Sequence, residues 1–241
     1  MPRQPWDISR EMFLSVEEAA SLLAHVRTQA ADGQISSFLD RLIVETLLFS
    51  GVRNSEFCRL RLGDFKVGES DALLLVAGKE STRRVHLPRA VLVLLARYVN
   101  DIRPGLTPEG VRVDDPDQPL VWHERRRPFE RTGLYRRVVR VLTAAGLGER
   151  ASVQLLRHTY GYLAYLRTGG NLLFVQRQLG HAHPMITSIY ARFVDESYAD
   201  LAERVAEPFG ARPEPIEPAV PKAPRERPWT SAVEEFQSEY D

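Results

Sequence analysis

At 241 residues, 44% of them apolar, the chain has material for an ordinary core in one large or two small domains, which excludes disorder throughout. Its single cysteine, Cys58, excludes an internal disulfide and fits a reducing compartment. No apolar run approaches the roughly 18 residues of a membrane span, and the acidic start carries no signal-peptide core, so the expectation is a cytoplasmic protein without a membrane partner.

A net charge of zero argues against nucleic acid as a partner until the charges are placed along the chain. Residues 208–241 hold 4 Lys/Arg against 7 Asp/Glu, leaving 28 against 25 before them, and residues 123–150 hold 8 Arg against 3 Glu. Arg125, Arg126, Arg127, Arg131, Arg136, Arg137 and Arg140 therefore form a candidate phosphate-facing strip. Taken in isolation, the same run reads as a solvated helix face.

In chain order, Ser15 and Glu18 form a capping box before Ala19, Leu22, Leu23 and Val26, which predicts an amphipathic helix. A second helix is expected over residues 37–50, stopped by Gly51, and a short one over 56–60. Residues 72–77 form an apolar run, 78–82 a turn and 84–88 an alternating stretch, which together predict a β-hairpin. Helix returns over 90–99, then a proline-bearing acidic loop over 103–118 and a short strand at 120–122. Thr132 is expected to cap a helix reaching Ala144, with Val138, Val139 and Leu142 on one face. Ser152 caps an apolar helix ending at Gly169 and Gly170, and Asn171 opens another that Gly180 closes. Pro184 suits the first turn of a helix carrying Tyr190. From Pro208 onward, prolines punctuate a polar tail, with a possible short helix around Trp229, Val233 and Phe236. The domain reading is a leader over 1–14, a main domain over 15–207 and a tail over 208–241.

Four separated motifs stand out: Gly51-Val52-Arg53 followed by Ser55-Glu56, Ala77-Gly78-Lys79, Leu156-Arg157-His158, and Leu179-Gly180-His181 followed nine residues later by Tyr190. In this order and spacing they resemble the tyrosine recombinase (phage integrase) family over residues 14–206. The resemblance implies a mainly α fold with a small antiparallel β-hairpin or sheet. It also implies site-specific cleavage and rejoining of double-stranded DNA through a 3′-phosphotyrosyl intermediate, with no ATP, metal or other cofactor. DNA-dependent assembly into a tetrameric synapse is implied too, with a C-terminal helix docking on the neighbouring protomer. Here residues 194–206 or 229–236 are the segments for that role. An accessory or partner recombinase is a further implied partner.

The chemistry suits these residue types. Guanidinium groups are permanently charged and donate paired hydrogen bonds to phosphate, so Arg53 and Arg157 would stabilise charge on the scissile phosphate. Tyr190 would be the nucleophile, Lys79 the proton donor to the leaving 5′-oxygen, and His181 a phosphate and proton partner. Each has a plainer reading on its own: Arg53 pairing with Glu56, Arg157 ion-paired on an apolar helix, Lys79 solvated on a turn, His181 capping a helix, Tyr190 in a core. His181 and His183 lack the further ligands of a zinc site.

Two departures from the family pattern are visible. Gln154 stands where the family usually has a histidine, and glutamine cannot exchange a proton near neutral pH. His158, beside Arg157, is expected on a different helix face and so unable to replace it. Only about 14 residues precede the catalytic region, where most relatives carry a DNA-clamping domain. The layout is similar to that of the short fimbrial phase-variation recombinases. The alternatives are a non-cleaving DNA- or recombinase-binding relative, and relaxation of the type IB topoisomerase kind.

Overall fold

The computed structural model describes residues 8–68, 72–78, 81–181 and 185–194. It is mainly helical with one small sheet, as the sequence implies. Helix α1 (Val16–Ala30) begins at the capping box: Ser15 Oγ accepts from the Glu18 N–H at 3.0 Å, and Glu18 Oε2 accepts from the Ser15 N–H at 2.7 Å. It lies on α2 (Ile35–Ser50), the central helix, which is buried on nearly every side. Two arginines on either side of Glu45, Arg27 and Arg41, each reach that buried carboxylate at 3.0 Å. The charge is therefore tolerated inside the core.

After the short α3 (Asn54–Phe57) the chain enters a three-stranded antiparallel sheet, β1 (Phe65–Val67), β2 (Ala72–Ala77) and β3 (Thr82–His86), in that order. Leu74 faces Phe65 on one side and Val85 on the other. The alternation that predicts the hairpin is real: Ala72, Leu74 and Val76 point inward. The third strand, β1, is too short to leave a periodic signal.

Helix α4 (Arg89–Arg97) does not stop where the sequence suggests. It passes through a π-turn at Tyr98–Ile102 into α5 (Arg103–Leu106). The reason is tertiary. The Tyr98 hydroxyl accepts from the Trp122 N–H at 2.8 Å, and the fully buried Arg103 donates to the carbonyls of Val113 and Pro119. Both pin the intervening loop to the core. The strand expected at 120–122 is not formed. Isolated bridges, Arg61 with Pro119 and Trp122 with Pro128, take its place, because Pro119 and Pro128 lack the N–H groups a ladder needs.

Helices α6 (Arg131–Ala144), α7 (Val153–Arg167) and α8 (Leu172–Leu179) follow, with Ser152 and Asn171 accepting from backbone N–H groups as caps. The last described elements are α9 (Met185–Ser188) and a 3-10 turn at Ile189–Phe193, which carries Tyr190 in place of the longer helix expected there. Residues 8–14 pack into the same body: Phe13 is fully buried against Tyr162 and Phe193, and Leu14 N–H donates to Thr159 Oγ1 at 2.9 Å. The tail from Pro208 and the Trp229–Phe236 segment lie outside the described residues. Among the described residues no helix is long and apolar enough to cross a membrane.

Candidate active site

Helix α7 passes between the C-terminal ends of α2 and α8, and that junction gathers four of the residues singled out by sequence. Arg157 lies on α7 and is 5% exposed. Its Nη1 donates to the Gly51 carbonyl and its Nη2 to the Leu179 carbonyl at 2.7 Å. Both carbonyls belong to helix ends, where unpaired C=O groups gather negative charge. The arginine's plainer reading was an ion pair; its actual partners are two helix C-termini. Gly51 (φ 62°) must be glycine for this approach, since a Cβ there would sit 2.5 Å from the Tyr160 ring and 2.7 Å from Leu179. Burial, together with neighbouring Arg53, brings Arg157 down to about 10, so it remains charged at neutral pH.

Arg53 sits just beyond Gly51 and is half-exposed. Its Nη1 is 2.8 Å from Glu56 Oε1, and its backbone N–H donates to Glu56 Oε2 at 2.6 Å. The same carboxylate receives a two-pronged contact from Arg83 on β3, at 2.7 and 2.8 Å. Burial alone would raise the Glu56 pKa, but Arg83 and Arg53 outweigh it and hold the carboxyl at about 2. Arg83 crosses Gly180, where a Cβ would lie 2.8 Å from its Cδ, and its Nε donates to the Gln178 carbonyl at 3.1 Å. The Gln178 side chain in turn pairs with both backbone groups of His86, at 3.0 and 3.2 Å. Strand β3 is thus tied to Arg53 through one carboxylate. Arg83 and Gln178 carry no signal in the sequence, because their importance arises from partners 27 and 92 residues away.

His181 follows the left-handed Gly180 that ends α8. Its Nδ1 lies 2.9 Å from Thr187 Oγ1, and its backbone is fixed on both sides by Gln176. Burial and the surrounding Arg157, Arg53 and Arg83 depress it to about 3, so the ring is neutral.

Tyr190 is 1% exposed. Its ring lies against α7 at Gly161, where a Cβ would be only 2.2 Å from Cζ and 2.5 Å from the hydroxyl. That hydroxyl is 3.2 Å from His158 Nδ1. Burial pushes the phenol up to about 12, with Arg157 acting in the opposite sense.

His158 is where the sequence reading needs correction. It lies one turn beyond Gln154 on the same face of α7, and both line a cleft of about 540 Å³ with Ser9, Glu11 and Arg150. The i,i+4 spacing could have shown this. Gln154 itself is exposed in the first turn of α7. Lys79 lies outside the described residues. Of the described residues on either side of it, the Gly78 N–H donates to Ser81 O at 2.9 Å.

Of the arginine strip, Arg125, Arg126 and Arg127 project from a turn closed by His123 and Arg127, with Arg126 at φ 55°. Arg131 and Arg136 are exposed at the start of α6, whose first residue accepts from Asn54 beside Arg53. Arg140 is exposed but paired with Asp40, whereas Arg137 is half-buried in ion pairs with Asp40 and Glu124 at 2.6 Å. It braces α2 against the 123–127 turn.

Residues 12–196 match the family model described as the phage integrase family. The chain belongs to that family. It is 26% identical over 195 residues to tyrosine recombinase XerH of Campylobacter jejuni, covering 80% of this chain and 51% of the relative. It is 31% identical over 163 residues to tyrosine recombinase XerC of Nitrobacter winogradskyi, covering 67% of this chain and 48% of the relative. It thus spans about half the length of these curated relatives. Among solved structures, the pre-cleavage complex of the XerH site-specific recombinase with its difH substrate is similar, at 25% identity and TM-score 0.64, covering 81% of this chain and 54% of that one. The Tn1549 transposon integrase bound to transposon right-end DNA shares the fold, with TM-score 0.63 at 16% identity, covering 83% and 67%.

Proposed function

We propose that this chain cleaves and rejoins DNA as a site-specific recombinase, with Tyr190 as nucleophile and Arg53 and Arg157 on the scissile phosphate. What supports the reading is that Arg53 and neutral His181 gather around Arg157, whose charge also acts on the buried Tyr190, although the first and last of these residues stand 137 positions apart. Arg157 spends two of its five N–H donors on carbonyls, which fixes the guanidinium plane before substrate arrives. Arg53, held by Glu56 and half-exposed, supplies the second cation from the solvent side. His181, neutral and steadied by Thr187, donates to a non-bridging oxygen. Lys79 protonates the leaving 5′-oxygen. The covalent 3′-phosphotyrosyl link conserves the diester's energy for rejoining, so neither ATP nor a metal is required.

XerH is a site-specific recombinase solved bound to its difH substrate. For this chain we take double-stranded DNA as the partner, with Arg125, Arg126, Arg127, Arg131 and Arg136 along its backbone and Arg140 at the margin. A DNA-dependent tetramer, an accessory or partner recombinase, and a cytoplasmic location complete the reading. A non-cleaving relative is favoured by one observation, the exposed Gln154 where the family's histidine stands. A nicked-duplex trapping assay separates the two. A denaturation-resistant adduct that disappears in Tyr190→Phe supports cleavage, and binding without adduct supports the alternative.

A further inference from the structure

Resting on that reading, we propose that His158 accepts the proton of the Tyr190 phenol during strand cleavage, in the place left open by Gln154. Three geometric observations carry this. His158 Nδ1 is 3.2 Å from the Tyr190 hydroxyl, within reach of the proton it would take. Gly161, three residues further along α7, removes the side chain that would hold the ring away, so the contact is built into the helix. Gln154 and His158 share one face and one cleft, so the proton function moves a single helical turn.

The ring is suited to the role. Burial and adjacent Arg157 lower its pKa to about 4, so at neutral pH it carries no proton and can accept one. Negative charge building on a phosphate held by Arg157, the next residue, raises the ring's proton affinity as the reaction proceeds. The step balances: the Tyr190 oxygen forms a bond to phosphorus as its proton passes to Nδ1, and the phosphorus–5′-oxygen bond breaks, with Lys79 protonating the leaving oxygen. Rejoining reverses each transfer. Exposed Gln154 can neither take nor return a proton.

The test uses nicked duplexes carrying the sequences that the full chain selects from a random pool, with single-turnover adduct formation as the readout. His158→Asn keeps a short acceptor near the Nδ1 position but cannot serve as a base. It should bind the duplex within about twofold of wild type and form adduct roughly 10²–10⁴-fold more slowly. Incorporating 2,3-difluorotyrosine at position 190 lowers the phenol pKa and should recover most of that loss in the Asn variant while changing the wild type little. A structural role would not respond to phenol acidity. His158→Ala, with the same fluorotyrosine, guards against a folding defect in one variant. The inference is overturned if the Asn variant cleaves within about threefold of wild type, or if fluorination leaves its deficit unchanged. Absence of any wild-type adduct on those duplexes overturns the cleavage reading and this inference together.

Discussion

Replacing Gly161 with alanine tests the docking of Tyr190 on α7 quantitatively. At an ordinary helical site the change stabilises by about 0.5–1 kcal/mol, through helix propensity and a stiffer unfolded chain. Here the new methyl would lie 2.2 Å from Tyr190 Cζ and 2.5 Å from Cε2, and the ring is 1% exposed within a cluster that includes Phe13, Tyr160, Leu179 and Ile189. The ring must leave. Undocking a buried aromatic costs about 3–5 kcal/mol on the scale of Phe→Ala substitutions. The net expectation is a loss of about 2–4 kcal/mol, or a fall in the urea midpoint of roughly 1–2 M for a slope near 2 kcal/mol/M. Gly133, also helical but with open space around its Cβ position, is the internal control. Gly133→Ala should stabilise or leave the protein unchanged. Surface nitration of Tyr190, read by peptide mass, should appear in Gly161→Ala and be absent in Gly133→Ala. If Gly161→Ala is as stable as Gly133→Ala and Tyr190 stays protected, the docked arrangement is wrong.

Arg157→Lys keeps the charge but cannot reach both the Gly51 and Leu179 carbonyls, so it should cost about 3 kcal/mol in urea unfolding and abolish adduct formation. Glu56→Gln removes the charge that holds Arg53 and Arg83, and should lower both stability, by about 2 kcal/mol, and the cleavage rate, with DNA binding less affected. Gln178→Ala frees β3 from α8 and should cost about 1–2 kcal/mol, with faster amide exchange at His86. Acid should destabilise the fold early. The folded pKa values of His158 and His181 fall from 6.5 to about 4 and 3, and that of Glu56 from 4.5 to about 2. Each therefore contributes stability that is complete above its unfolded pKa and lost as pH falls through its folded value. The urea midpoint should decline from about pH 6.5 downward, and a flat profile between pH 7 and 4 would refute the buried neutral histidines.

Much of the site was legible because it sits at helix ends, which leave marks in sequence. Gly51 and Gly180 stop helices, and the residues just after them, Arg53 and His181, converge because α7 packs between those two ends. The capping box at Ser15 and the alternation in β2 were equally readable. What escaped reading depends on contacts between distant residues. Arg83 bridges Glu56 and Gln178, and nothing around it marks a β-strand arginine as the tie between them. Arg137 looks like any member of the arginine strip, yet two carboxylates engage it. Read from its neighbour Arg157, His158 falls on a different helix face. Counting from Gln154 places it correctly. The π-turn at Tyr98–Ile102 answers to Trp122 and to the loop held by Arg103, partners no local pattern can announce.

The most direct measurement is to map the DNA attachment site. The wild-type adduct on a nicked duplex would be digested, and the nucleotide-bearing peptide sequenced by mass spectrometry. The account predicts a 3′-phosphate ester on Tyr190, a free 5′-hydroxyl on the released strand, and no adduct from Tyr190→Phe. Attachment to any other residue, a 5′-linked nucleotide, or an adduct that persists in Tyr190→Phe would contradict it.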